Sequence, residues 1–138
     1  MGTILVVDDE PIVLKLCQAI LQRGGYSVLS GSGGDEGLRL LRTNGFGTIE
    51  LALLDVMMPG MNGIELADRI RAANPDVPIV LMSGFGPKEV ARVVGDKNPY
   101  RIIWKPFKSE SLLQMVENAI GQCAGQLAIP PDSFGHSA

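Results

Sequence analysis

Ile4-Leu5-Val6-Val7-Asp8-Asp9-Glu10-Pro11 is four apolar residues, three acids and a proline. An apolar run this short, cut off by acids, reads as a buried strand whose carboxyl end meets solvent. Pro11 carries the fixed φ that suits the first turn of a helix. The stretch is therefore a strand, a charged corner and a helix start. The same grammar recurs downstream. Leu51-Ala52-Leu53-Leu54 runs into Asp55, Ile79-Val80-Leu81-Met82 into Ser83, and Ile102-Ile103-Trp104 into Lys105. As parallel strands of one sheet, these runs bring Asp8, Asp9, Asp55, Ser83 and Lys105 to one carboxyl edge, where open α/β sheets bind ligands.

Helical periods separate the runs. Ile12, Val13, Leu16, Cys17, Ile20 and Leu21 recur at helical spacing until Gly24-Gly25. Tyr26 to Ser30 is a short second strand, and a Gly-rich turn leads to a helix from about Asp35 to Asn44 with Leu38, Leu40 and Leu41. Met57-Met58-Pro59-Gly60-Met61-Asn62-Gly63 is a loop by its Pro and Gly content, with the methionines read as core filling beside the edge. A helix over 64–73 follows, then a short one from Pro87 to about Gly95. A last helix starts at Ser109, read as its N-cap, with Leu112, Leu113, Val116, Ala119 and Ile120 on one face. Five strands alternating with five helices predict a parallel sheet covered on both faces. Residues 1–121 form one domain, and 122–138 read as a flexible C-terminal tail or the start of a linker.

The chain's 138 residues suffice for a single core, and 46% hydrophobic with 20% charged residues is a soluble globular balance. A net charge of −3 gives no footprint for direct nucleic-acid binding. No apolar stretch is long enough for a bilayer, and Asp8-Asp9-Glu10 interrupts any secretory signal, so no membrane association and a cytoplasmic location are expected. Cys17 and Cys123 lack metal-ligand spacing, and Cys17 reads as a small core residue. His136, the one histidine, lies in the tail without a rigid surrounding for chemistry.

Three crowded carboxylates repel one another: two like charges about 4 Å apart cost about 4 kcal/mol at an effective dielectric near 20. A hard divalent cation offsets that repulsion, and Mg²⁺ favours one or two carboxylates, waters and room for phosphate oxygens. A carboxylate held there can act as a nucleophile toward phosphorus, with an ammonium and a hydroxyl on the remaining oxygens. Taken singly, Asp-Asp is a common helix cap, Ser83 a turn former and Lys105 a surface lysine. Their joint placement at strand ends favours the chemical reading.

ILVVDDEP (4–11), LALLDVMMPGMNGIEL (51–66), PIVLMSG (78–84) and WKPF (104–107) together resemble a receiver domain of a two-component response regulator, of the CheY-like superfamily, over residues 3–121. The resemblance implies a flavodoxin-like (βα)5 fold, a doubly wound five-stranded parallel sheet of order 2-1-3-4-5. It implies Asp55 as phosphoacceptor and Asp8, Asp9, Asp55 and the Met57 backbone carbonyl as ligands of Mg²⁺, with Mn²⁺ as a substitute. It further implies Ser83 as the switch hydroxyl, Lys105 as the phosphate-binding lysine and a cis peptide before Pro106. The implied donors are a sensor histidine kinase or a histidine phosphotransfer domain, and the output goes to a downstream protein or a homodimer. A stand-alone regulator and a receiver from a longer hybrid kinase both fit.

Two departures stand out. Where the family often has Tyr or Phe three residues before the lysine, this chain has Ile102, with Tyr100 and Trp104 in phase on the same strand face. That strip, on the side away from Lys105, is an expected output or dimer face. Gly95-Asp96-Lys97-Asn98-Pro99 replaces the usual small-residue approach to the fifth strand. The competing enzyme is a haloacid-dehalogenase-like phosphohydrolase, which carries a second Asp two residues after its nucleophile, where this chain has Met57. A dinucleotide-binding reading of Gly31-Ser32-Gly33-Gly34-Asp35-Glu36-Gly37 fails because the third glycine of the fingerprint falls on Glu36. A partner-binding domain without phosphorylation is disfavoured because every position for the chemistry is filled.

Overall fold

Each short apolar run forms a strand, and each intervening period forms a helix. The structure is a computed structural model that describes residues 2–95 and 99–125, without the side chains of Val94 and of residues 122–125. In chain order the elements are β1 (Thr3–Val7), α1 (Pro11–Arg23), β2 (Ser27–Gly31), α2 (Gly34–Asn44), β3 (Ile49–Asp55), α3 (Gly63–Ala73), β4 (Ile79–Ser83), α4 (Pro87–Val94), β5 (Arg101–Trp104) and α5 (Ser109–Gly125). A 3₁₀ turn at Phe46–Thr48 precedes β3, and the sequence pattern carried no period for it. His136, the Asp96-Lys97-Asn98 segment and residues 126–138 of the expected tail lie outside the described residues.

All strands are parallel, in the order β2-β1-β3-β4-β5. This is the doubly wound arrangement expected. Successive side chains alternate between faces. Leu5, Val7, Ala52, Leu54, Ile79 and Leu81 pack with α2, α3 and α4. Ile4, Val6, Leu51, Leu53, Val80, Met82 and Ile103 pack with α1 and α5. Burial on both faces explains why these strands read as continuous apolar runs rather than alternating ones.

Three details correct the sequence reading. Ile12 and Leu16, both in the apolar period of α1, are exposed, Ile12 at 81%. The buried stripe is Cys17, Ile20 and Leu21, with Val13 and Leu14 half-buried beside it. The helix is rotated so that its edge points at the loop after β5, where Val13 and Leu16 line a cleft of about 370 Å³ with Pro106 and Phe107. Ser109 is the first helical residue of α5 rather than its cap, and the helix continues to Gly125. The start of α3 is set by Asn62, whose side chain accepts a hydrogen bond from Glu65 N at 2.9 Å.

Candidate functional site at the carboxyl edge of the sheet

Register brings the strand ends level. Val7 pairs with Leu54, Asp55 with Met82, and Ser83 with Trp104. Backbone bonds extend the ladder one step further: Asp8 N donates to Gly31 O at 3.1 Å and Lys105 N to Ser83 O at 2.7 Å. Asp8 and Asp55 thus leave adjacent strands at the point where strand order reverses, the place where a doubly wound sheet opens a crevice.

Lys105 crosses from β5 over β4 to reach them. Its Nζ lies 2.7 Å from Asp8 Oδ2, 3.3 Å from Asp55 Oδ1 and 3.8 Å from Glu10 Oε1. The peptide joining it to Pro106 is cis, as expected. Asp8 is fully buried, and Asp55 and Ser83 nearly so. Asp8 Oδ1 accepts from Glu10 N at 2.9 Å, which holds the acidic corner open. Carboxylate oxygens of Asp8, Asp9 and Glu10 come within 4.8 Å of one another. Glu10 was visible in the opening motif but had no role assigned to it. The signal available was its position between the acid pair and a helix-starting proline.

Burial pushes the Asp55 carboxyl up to about 7, and the neighbouring Asp8 charge adds to the effect while Lys105 opposes it. Burial works against the Lys105 ammonium too, but its hydrogen bond to Asp8 and the charges of Asp55 and Asp8 outweigh that and raise it above the ordinary lysine value. The edge therefore carries more buried negative charge than its lysine neutralises. That imbalance, on hard oxygen donors, fits a divalent cation such as Mg²⁺.

A cavity of about 760 Å³ opens over this cluster, lined by Asp9, Glu10, Asp55, Met57, Phe85 and Lys105 among others. Met57 is half-buried on its wall, while Met58 is buried and Met61 half-buried in the core below. Ser83 stands at the same edge, but its hydroxyl is engaged by its own loop, accepting from Phe85 N at 3.0 Å and donating to Phe85 O at 3.2 Å. Gly63 is set by a close approach: a Cβ there would collide with the Asp55 carbonyl. Only glycine lets α3 start against the end of β3.

The strip on the other face of β5 divides. Tyr100 and Ile102 are half-buried against the core on the α2–α4 side, whereas Trp104 is 41% exposed. The Tyr100 hydroxyl donates to Asp68 Oδ1 at 2.8 Å, and the Arg71 guanidinium lies 5.7 Å from its ring centre. Both partners belong to α3 and had no part in the sequence reading, because nothing in their spacing points at β5.

Among the described residues no helix is long and apolar enough to cross a membrane. A sequence model of the response regulator receiver domain matches residues 4–117. The chain is 35% identical to the uncharacterized transcriptional regulatory protein YkoG of Bacillus subtilis (strain 168), over 88% of this chain and 52% of that protein. It is 34% identical to the nitrogen assimilation regulatory protein NtrX of Azorhizobium caulinodans, over 85% of this chain and 26% of that protein. The chain thus spans about half or less of the length of these curated relatives. Among solved structures, a receiver domain protein from Clostridium thermocellum superposes with a TM-score of 0.78 at 27% identity, covering 88% of this chain and 96% of that one. The NtrX structure from Brucella abortus gives 0.81 at 29% identity, covering 93% and 29%. Sequence match and sheet order agree, and the chain belongs to the response regulator receiver domains, whose members accept a phosphoryl group on an aspartate.

Proposed function

We propose that Asp55 is the phosphoacceptor of a two-component phosphorelay, served by a sensor histidine kinase or a histidine phosphotransfer domain. The observation that carries this reading is the Lys105 ammonium bridging the buried Asp8 and Asp55 carboxylates. An Asp55 carboxylate oxygen attacks the phosphorus of a phosphohistidine, the P–N bond breaks, and the imidazole leaves with the electron pair. Lys105 loosens from Asp55 and takes a phosphoryl oxygen. Asp8, Asp9, Asp55 and the Met57 carbonyl are the residues that would hold Mg²⁺, or Mn²⁺ in its place. When bound, the cation neutralises charge on the transferring group.

Ser83 then exchanges its Phe85 partners for a phosphoryl oxygen. That exchange frees the 84–86 loop, which leads directly into α4, and so converts a local charge change into a shift at the surface. Trp104, exposed at the end of β5, lies on the surface that would read the shift, toward a downstream protein or a second copy of the chain. Trp104→Ala should then weaken that association in the phosphorylated state, and unchanged binding in both states removes Trp104 from the output face. The setting is the cytoplasm, with no direct role for nucleic acid.

A phosphohydrolase of the haloacid-dehalogenase kind is disfavoured because Met57 stands where its general acid would be. The test is incubation of wild type and Asp55→Asn with a small phosphodonor and Mg²⁺, followed by intact mass and Trp104 fluorescence. A gain of one phosphoryl group in wild type alone is expected. Equal gain in both proteins would move the acceptor elsewhere, and rapid Asp55-dependent turnover of phosphate esters would favour the hydrolase.

A further inference from the structure

Glu10 is the acid of this edge that the phosphoacceptor chemistry leaves unused. Its carboxylate stands 3.8 Å from Lys105 Nζ, lines the mouth of the cavity beside Asp9, and is 66% exposed. It caps nothing: as the residue before α1 it makes no side-chain hydrogen bond to the helix. Its side chain therefore acts on the site through charge.

Among the described residues, four carboxylates (Asp8, Asp9, Glu10 and Asp55) gather around the ammonium of Lys105, a balance of three negative charges when all are ionised. A divalent cation reduces that to one, and the charge remaining at the rim is that of Glu10. An incoming phosphoryl donor meets this residual charge before it reaches Asp55.

We propose that Glu10 is a specificity-determining residue that disfavours donors whose leaving group is anionic or neutral, and favours donors whose leaving group carries a positive charge. The inference rests on Asp55 being the acceptor. The leaving group is the part of the donor that projects out of the cavity past the rim. A protonated nitrogen there offsets the repulsion Glu10 exerts on the phosphoryl oxygens. An acyl leaving group does not. Selection of phosphoramidate-type over acyl-type phosphate follows, and a phosphohistidine imidazolium belongs to the favoured class. In either reaction a P–N or P–O bond breaks as the Asp55 O–P bond forms, and the leaving group takes the electron pair.

The experiment compares acetyl phosphate with phosphoramidate, which carries its positive charge on the leaving nitrogen. Wild type, Glu10→Gln and Glu10→Asp are used at saturating Mg²⁺, and second-order phosphorylation rates are read by intact mass. At low ionic strength Glu10→Gln should raise the acetyl phosphate rate about fivefold and the phosphoramidate rate less than about twofold, as expected for one charge acting through water across several ångströms. The difference should vanish near 1 M salt, where screening shortens to about 3 Å. Glu10→Asp, which keeps the charge, should hold the wild-type donor ratio. Equal changes for both donors, or a difference indifferent to salt, would overturn the proposal while leaving Asp55 in place as acceptor. Failure of wild type to gain mass from either donor would overturn both.

Discussion

At the carboxyl edge of the sheet, Lys105 is held between the buried carboxylates of Asp8 and Asp55. At the other end of the same strand, Tyr100 is held between Asp68 and Arg71 of α3. Each cluster joins elements far apart in sequence through acid and cation, with one long side chain reaching across. They differ in balance and in depth. The Asp68–Arg71 cluster matches one acid with one cation at the surface, where water screens both. The Lys105 cluster sets two buried carboxylates, Asp8 and Asp55, against one ammonium. A structural staple has no reason to be built with excess buried charge, since desolvation outweighs what such pairs return. The excess is intelligible as a receptacle for positive charge and for a phosphoryl group.

The sharpest way to break this contrast is to remove the cation. Lys105→Met leaves Asp8 and Asp55 facing each other without an ammonium and should destabilise the metal-free protein by about 3 kcal/mol at pH 8. The cost should shrink toward pH 5, where Asp55 is already protonated. Urea unfolding at the two pH values measures both. A loss below about 1 kcal/mol at pH 8 would mean the acids do not repel as described.

Removing the acceptor should act in the opposite direction. Because the folded protein holds Asp55 near 7, it binds a proton that the unfolded chain releases near 3.8. Between those values stability falls as pH rises, and above about 7 the whole penalty is present. Asp55→Asn should therefore gain stability over wild type as pH rises from 4 to 8, with most of the gain in place just above pH 7, read from denaturation midpoints. Mg²⁺ should stabilise wild type more than this variant, because binding to the folded state alone adds stability.

The smallest effect belongs to the other cluster. Tyr100→Phe removes one hydrogen bond to an exposed acid and should cost about 1 kcal/mol. Burial and the bond to Asp68 lift the Tyr100 hydroxyl to about 12, so the cost should be flat between pH 5 and 8. Phosphorylation rate should be unaffected, and a change in it would mean that the two clusters communicate along β5.

The strands and the edge residues were legible because burial on both faces leaves long apolar runs, and because each run stops where a polar group begins. Ile12 and Leu16 belong to the apolar period yet face solvent, because a helical period names a stripe but not the rotation that the packed neighbours select. Tyr100 was correctly phased with Ile102 and Trp104, yet which of the three reaches solvent depended on where α3 lay. Gly63 read only as loop punctuation, since the carbonyl it accommodates belongs to another element.

The order of apolar runs, breakers and acids determined by itself that this chain would wind a parallel sheet and collect its chemistry at one edge, because periodicity and strand-end placement are local properties of the chain. Tertiary structure decided that Lys105 spans two carboxylates at once, that Glu10 joins them at the rim, that Ser83 waits on Phe85, and that Tyr100 is tied to α3. Those are distances between elements, and distances of a few ångströms arise only when the whole sheet and its helices have packed.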